Sequence, residues 1–84
     1  MNEIEITLVR DALGLKNPVF VNGIPTANRA YYVSKKPHNV WETLVDAGLA
    51  KKRTQFGDVI YHPTLECARS VLVGNEQLNE RLWG

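Results

Sequence analysis

Lys51-Lys52-Arg53 sets three positive charges side by side, and Arg29, Lys35 and Lys36 precede them in the same stretch of chain. From Arg29 to Arg53 these six basic residues are met by only two acids, Glu42 and Asp46. Such a cluster suits phosphate groups, because Lys and Arg contacts to the backbone supply most non-specific nucleic-acid affinity. In a strand, Lys51 and Arg53 point to one face and Lys52 to the other. That geometry reaches two or three phosphates and implies a non-specific Kd of roughly 10⁻⁴ M. A lysine-rich strand also guards a sheet edge against pairing with another chain, which is the alternative use of the same residues.

Other reactive side chains form no comparable group. His38 and His62 lie far apart and lack a Cys or carboxylate at metal-ligand spacing. Cys67, His62 and Asp58 are formally a nucleophile, a base and an acid. Cys67, however, falls beside the apolar side of a helix, where burial makes a thiol inert. Gly23 and Gly57 are isolated turn glycines, so there is no phosphate-cradling loop. The reading is a non-enzymatic chain with no cofactor and no metal.

The elements that must position the basic cluster follow from periodicity. Ile4, Leu8 and Ala12, with Val9 and Leu13, draw an apolar stripe that predicts a helix over residues 3–13, capped by Asn2 and stopped by Gly14. Val19-Phe20-Val21 is β-prone, but Asn22-Gly23 and Pro25 follow without a close partner run, so a loop or loose hairpin is expected. A strand over 29–34 comes next, with one of Tyr31 and Tyr32 turned inward. Val40, Trp41, Leu44, Val45 and Ala47 predict a helix over 40–47, with Asn39 as its cap and Glu42 closing a capping box. Gly48 ends it. A hairpin over 50–62 turns at Phe56-Gly57-Asp58, and Thr64 opens a helix over 65–73 that Gly74 closes. In the tail, residues 75–84, Leu78, Leu82 and Trp83 either fold back on the first helix or form a patch for a second copy, giving a homodimer. The fold class is α+β: about three helices and a short antiparallel sheet in a single domain, 1–84.

Composition bounds the rest. The 84 residues are 44% hydrophobic, the share of an ordinary globular chain, and the formal net charge is +1. Apolar runs are only a few residues long, which excludes a membrane span. The first fourteen residues lack the positive start and unbroken apolar stretch of a signal peptide, and a single cysteine allows no internal disulfide. Both point to the cytoplasm.

Two resemblances add to this reading. Leu44, Ala47-Gly48-Leu49, Lys51-Lys52-Arg53, Tyr61 and Thr64 resemble the C-terminal part of winged-helix domains of the MarR-like kind, where a recognition helix is followed by a basic wing. That likeness implies a small winged-helix-like domain with a hairpin wing. It covers about residues 39–73, and the helix that should precede the recognition helix is replaced by a strand and a Lys-Lys-Pro loop. Leu8 to Leu15, Arg29-Ala30-Tyr31-Tyr32-Val33 and Leu44 to Leu49 also resemble a group of small phage and prophage proteins. This second likeness implies a viral accessory protein in the host cytoplasm and carries no activity with it.

Two functions compete. The acids on the helix over 40–47 and the near-neutral charge favour a protein-binding module, for example an inhibitor of a host or defence protein. The alternative is a nucleic-acid-binding regulator. For either partner the expected contact residues are Arg29, Lys35, Lys36, His38, Lys51, Lys52 and Arg53.

Overall fold

The computed structural model describes residues 1–83, so Gly84, the end of the expected tail, lies outside the described residues. The chain is an α+β fold with two small sheets. In order come α1 (Glu3–Ala12), β1 (Val19–Val21), β2 (Ile24–Ala27), β3 (Tyr32–Ser34), α2 (Asn39–Asp46), β4 (Ala50–Gln55), β5 (Asp58–Pro63), α3 (Leu65–Ser70) and β6 (Gln77–Leu78), with a 3-10 turn over Glu80–Trp83. One sheet has the order β1-β2-β6, and the other β3-β5-β4. No helix among the described residues is long and apolar enough to cross a membrane.

The core lies between the helices and the inner face of the second sheet. Val9, Leu13, Trp41, Leu44 and Tyr61 are fully buried. Trp41 from α2 stacks on Tyr61 and on Tyr32, each at a centroid distance of 5.6 Å. Aromatic pairs in offset contact add about 0.5–1.5 kcal/mol beyond the area they bury.

α1 begins with a complete capping box, in which Asn2 Oδ1 accepts from the Glu5 amide and Glu5 Oε1 from the Asn2 amide, both at 2.8 Å. α2 departs from expectation. Its cap is His38, whose side chain makes no capping bond, and Asn39 is already helical. Glu42 cannot reach back to the cap because its carboxylate is held by Tyr61 and Lys52.

The segment expected as a loop or loose hairpin is a tight hairpin. Val21 pairs with Ile24 across Asn22-Gly23, whose φ angles of 52° and 77° suit a type I′ turn. Pro25 is tolerated because it lies opposite Phe20, and pairs alternate between bonded and unbonded from the turn outward. Pro25 therefore needs no amide hydrogen toward β1. β6 pairs only with Thr26 and Ala27, so none is needed there either.

The last helix stops at Ser70 rather than at 73. Arg10 Nη1 takes the Val71 carbonyl at 2.9 Å, and Glu76 Oε1 takes the Val73 amide at 2.9 Å. These side chains satisfy the backbone groups a longer helix would have used. The strand expected over 29–34 is shorter, Tyr32–Ser34, because Arg29 turns to the Asp11 carbonyl at the end of α1. The tail adds β6, parallel to β2, and Trp83 Nε1 donates to the Pro63 carbonyl at 2.8 Å. It thus packs on β2 and on the end of β5, while Leu82 stays 41% exposed.

Candidate binding surface

The hairpin β4–β5 decides where the basic residues go. Its register pairs Lys51 with His62, Arg53 with Ile60 and Gln55 with Asp58, so these six residues share the outer face. Val33 of β3 lies opposite Ile60 on that face and is 49% exposed. Lys52 and Thr54 point the other way, toward α2.

On the outer face, Arg53 Nε donates to His62 Nε2 at 3.1 Å, and Arg53 Nη1 donates to Gln55 Oε1. A guanidinium can only donate, so His62 Nε2 must be the acceptor. The ring proton then sits on Nδ1, which meets the Ala30 carbonyl at 3.1 Å. Both ring nitrogens of His62 are thereby occupied, and the ring is fixed in one orientation. Cys67 is buried, its thiol is pushed up by that burial, and its Sγ lies 3.8 Å from Met1 Sδ. The formal nucleophile and base are each bonded elsewhere. No group of three metal-ligating side chains occurs among the described residues.

On the inner side, Glu42 joins two elements. Its Oε1 binds Lys52 Nζ at 2.5 Å and its Oε2 accepts from the Tyr61 hydroxyl at 2.5 Å. The Lys52 bond, then the Tyr61 bond, holds the Glu42 carboxyl below the usual carboxylate range. The Tyr61 oxygen in turn accepts from the His38 amide at 3.0 Å. Burial, reinforced by Glu42, raises the Tyr61 phenol.

The seven expected contact residues therefore separate. Lys51 and Arg53 share the outer face, and Lys35, at the end of β3, reaches 4.0 Å from Asp58 near the hairpin turn. Lys36 is exposed in the loop that follows. Lys52 is paired with Glu42, Arg29 bonds the end of α1, and His38 lies inward with its ring edge-on to Tyr32 at 5.6 Å. Comparison with protein families, curated proteins and solved structures finds no match.

Two surface features were not singled out from sequence. Phe56, at the tip of the β4–β5 hairpin, is 96% exposed. The signal available for it was an aromatic residue at the first position of a two-residue turn, where Asn or Gly is usual. The edge strand β1 exposes Val19, Phe20 and Val21 together, with Phe20 at 64%. No charged residue occurs from Asn17 to Asn28, so no charge on this edge discourages another strand. The described surface also carries clefts. One of about 550 Å³ lies between α1 and the start of α2, and one of about 400 Å³ lies beside Lys51, His62 and Trp83.

Proposed function

We propose that this chain is a non-enzymatic nucleic-acid-binding module that uses the outer face of the β3-β5-β4 sheet. The observation that carries the reading is the shared outward placement of Lys51 and Arg53, with Lys35 by the hairpin turn. The chief objection from sequence was the pair of acids on α2. Glu42 is withdrawn into its bonds with Lys52 and Tyr61, which leaves Asp46 as the one freely exposed acid of that helix. A helix followed directly by a basic hairpin also supports the winged-helix-like reading. A loop, Lys35 to His38, stands where that architecture needs a further helix, so phosphate contact is assigned to the hairpin and α2 is treated as its support.

Three cations imply a shallow salt dependence, with a log–log slope of about −2 to −3 on duplex DNA. Fluorescence anisotropy with a labelled random duplex at 20 mM and 150 mM salt tests this. Saturable binding that weakens with salt, and is lost in the Lys51→Ala/Arg53→Ala double variant, supports the reading. Absence of binding at the lower salt sinks it.

Protein contact is the second reading, and β1 is the observation that favours it. An exposed apolar edge strand can accept an extended segment from another chain by strand addition. Capture of a partner from lysate by the wild-type chain but not by Phe20→Lys would support it.

A further inference from the structure

Phe56 combines two unfavourable features at one position. Its φ is 52°, in the left-handed region that a bulky side chain rarely enters, and its ring is 96% exposed. The register Gln55↔Asp58 leaves Phe56 and Gly57 as a two-residue turn, and Gly57 has φ 82°. The other hairpin of the same chain provides an internal comparison. There closely similar φ angles, 52° and 77°, are taken by Asn22-Gly23, the pair such turns prefer. Nothing in the fold rewards a ring at position 56, since it lies outside the core cluster.

We infer that Phe56 is a stacking wedge, placed at the hairpin tip to insert its ring against a nucleic-acid base. This rests on the nucleic-acid reading above and deepens it. Strain of this kind persists where a residue serves a partner rather than the fold. The surroundings select the partner's chemistry. Gln55, next to the ring in sequence, is exposed and keeps its side-chain amide nitrogen for a base edge, while Arg53, Lys51 and Lys35 stand behind it for phosphates. Apolar wedges flanked by Arg and Gln are a recurrent means of prising a base step, and single aromatic rings stack on unpaired bases. A lipid surface fits less well, because the tip offers one ring only and Asp58 sits beside it.

The test uses the full chain with two probes, a fluorescein-labelled dT12 oligonucleotide and a labelled 16-base-pair duplex. Two variants are compared, Phe56→Ala and Phe56→Asn. Asn is the residue the turn itself prefers, so Phe56→Asn should raise the melting temperature by about 4 °C or more. It should also weaken binding by roughly five- to 150-fold on the probe whose base it stacks against. Loss on dT12 assigns the ring to an unpaired base, and loss confined to the duplex assigns it to a step between pairs. If Phe56→Asn binds both probes like wild type while Lys51→Ala/Arg53→Ala abolishes binding, the wedge fails and the module reading stands. If wild type binds neither probe at low salt, both fall. A lowered melting temperature in Phe56→Asn would show that the ring serves the fold and overturn the inference. So would binding to phosphatidylcholine/phosphatidylglycerol vesicles in place of both probes.

Discussion

The Tyr61 hydroxyl of β5 donates to Glu42 of α2 at 2.5 Å, and this bond seats the helix on the second sheet. The Tyr61 oxygen also receives the amide of His38, the residue that caps the helix without a side-chain bond of its own. Tyr61→Phe removes both at once and leaves a donor and an acceptor without partners. It should cost about 1–3 kcal/mol in urea unfolding, with little change in far-ultraviolet circular dichroism.

The same joint sets a pH dependence. The Glu42 and Glu76 carboxyls are held below their ordinary range by Lys52 and Tyr61 in one case and by Arg10 in the other. As pH falls, the unfolded chain takes up its protons first, so acid favours unfolding. The stability from these groups is full above about pH 5 and fades as pH drops below 4.5, the usual carboxyl value. The Tyr61 phenol is raised, so its contribution is full below pH 10.0 and is lost as pH climbs past it. Melting temperatures from pH 2 to 11 should therefore fall at both ends. Glu42→Gln should flatten the acid limb.

Arg10 and Glu76 form a two-pronged ion pair at 2.6 and 2.7 Å, with side chains only 26% and 11% exposed. Arg10 also holds the Val71 carbonyl and Glu76 the Val73 amide. Arg10→Ala should cost about 2 kcal/mol, below the full penalty of a buried pair because Arg10 keeps some access to water. Amide exchange at Gln77 and Leu78 should speed up before exchange at α2 does. A double-mutant cycle with Glu76→Ala checks the coupling, and additive losses would refute it.

The β1 edge predicts behaviour on heating. Phe20→Lys places a charge in an apolar, uncharged edge strand and should raise the temperature at which light scattering begins. The change in folding free energy should stay within about 0.5 kcal/mol, as for an ordinary surface substitution.

Cys67 should react with a thiol reagent only when the chain opens. It is buried, and that burial raises the thiol, so little thiolate is present and none is accessible. The modification rate should rise with urea in parallel with unfolding. Fast labelling in native buffer would contradict this placement.

Much of the local structure can be read from residue order. The stripe of Leu8, Val9 and Ala12 marks α1, although Ile4 at its start is exposed, and Trp41 with Leu44 marks the buried side of α2. Alternation along β4 is enough to set Lys51 and Arg53 on one face. What escaped depends on distant partners. Glu42 has a local bond available at a cap, but Lys52 and Tyr61 compete for it more strongly, and only the folded chain brings them near. β6 is two residues long and carries no periodic signal, so its pairing with Thr26 and Ala27 is invisible in sequence. Pro25 hid a strand by its type, although its position opposite Phe20 asks nothing of its missing hydrogen. Phe56 was visible as a residue, and its meaning came from its angle and its exposure.

The parallel pairing of β2 with β6 also imposes an order in time. Gln77 Nε2 bonds Thr26 Oγ1 across 51 positions of sequence. A ribosome adding about 5–20 residues per second releases Thr26 roughly 3–10 s before its partner. During that interval the β1–β2 hairpin has two open flanks instead of one, and a lone hairpin is marginal in water. The nascent chain is therefore most vulnerable to clumping before Gln77 and Leu78 emerge, and slow synthesis through the preceding stretch would lengthen the risk.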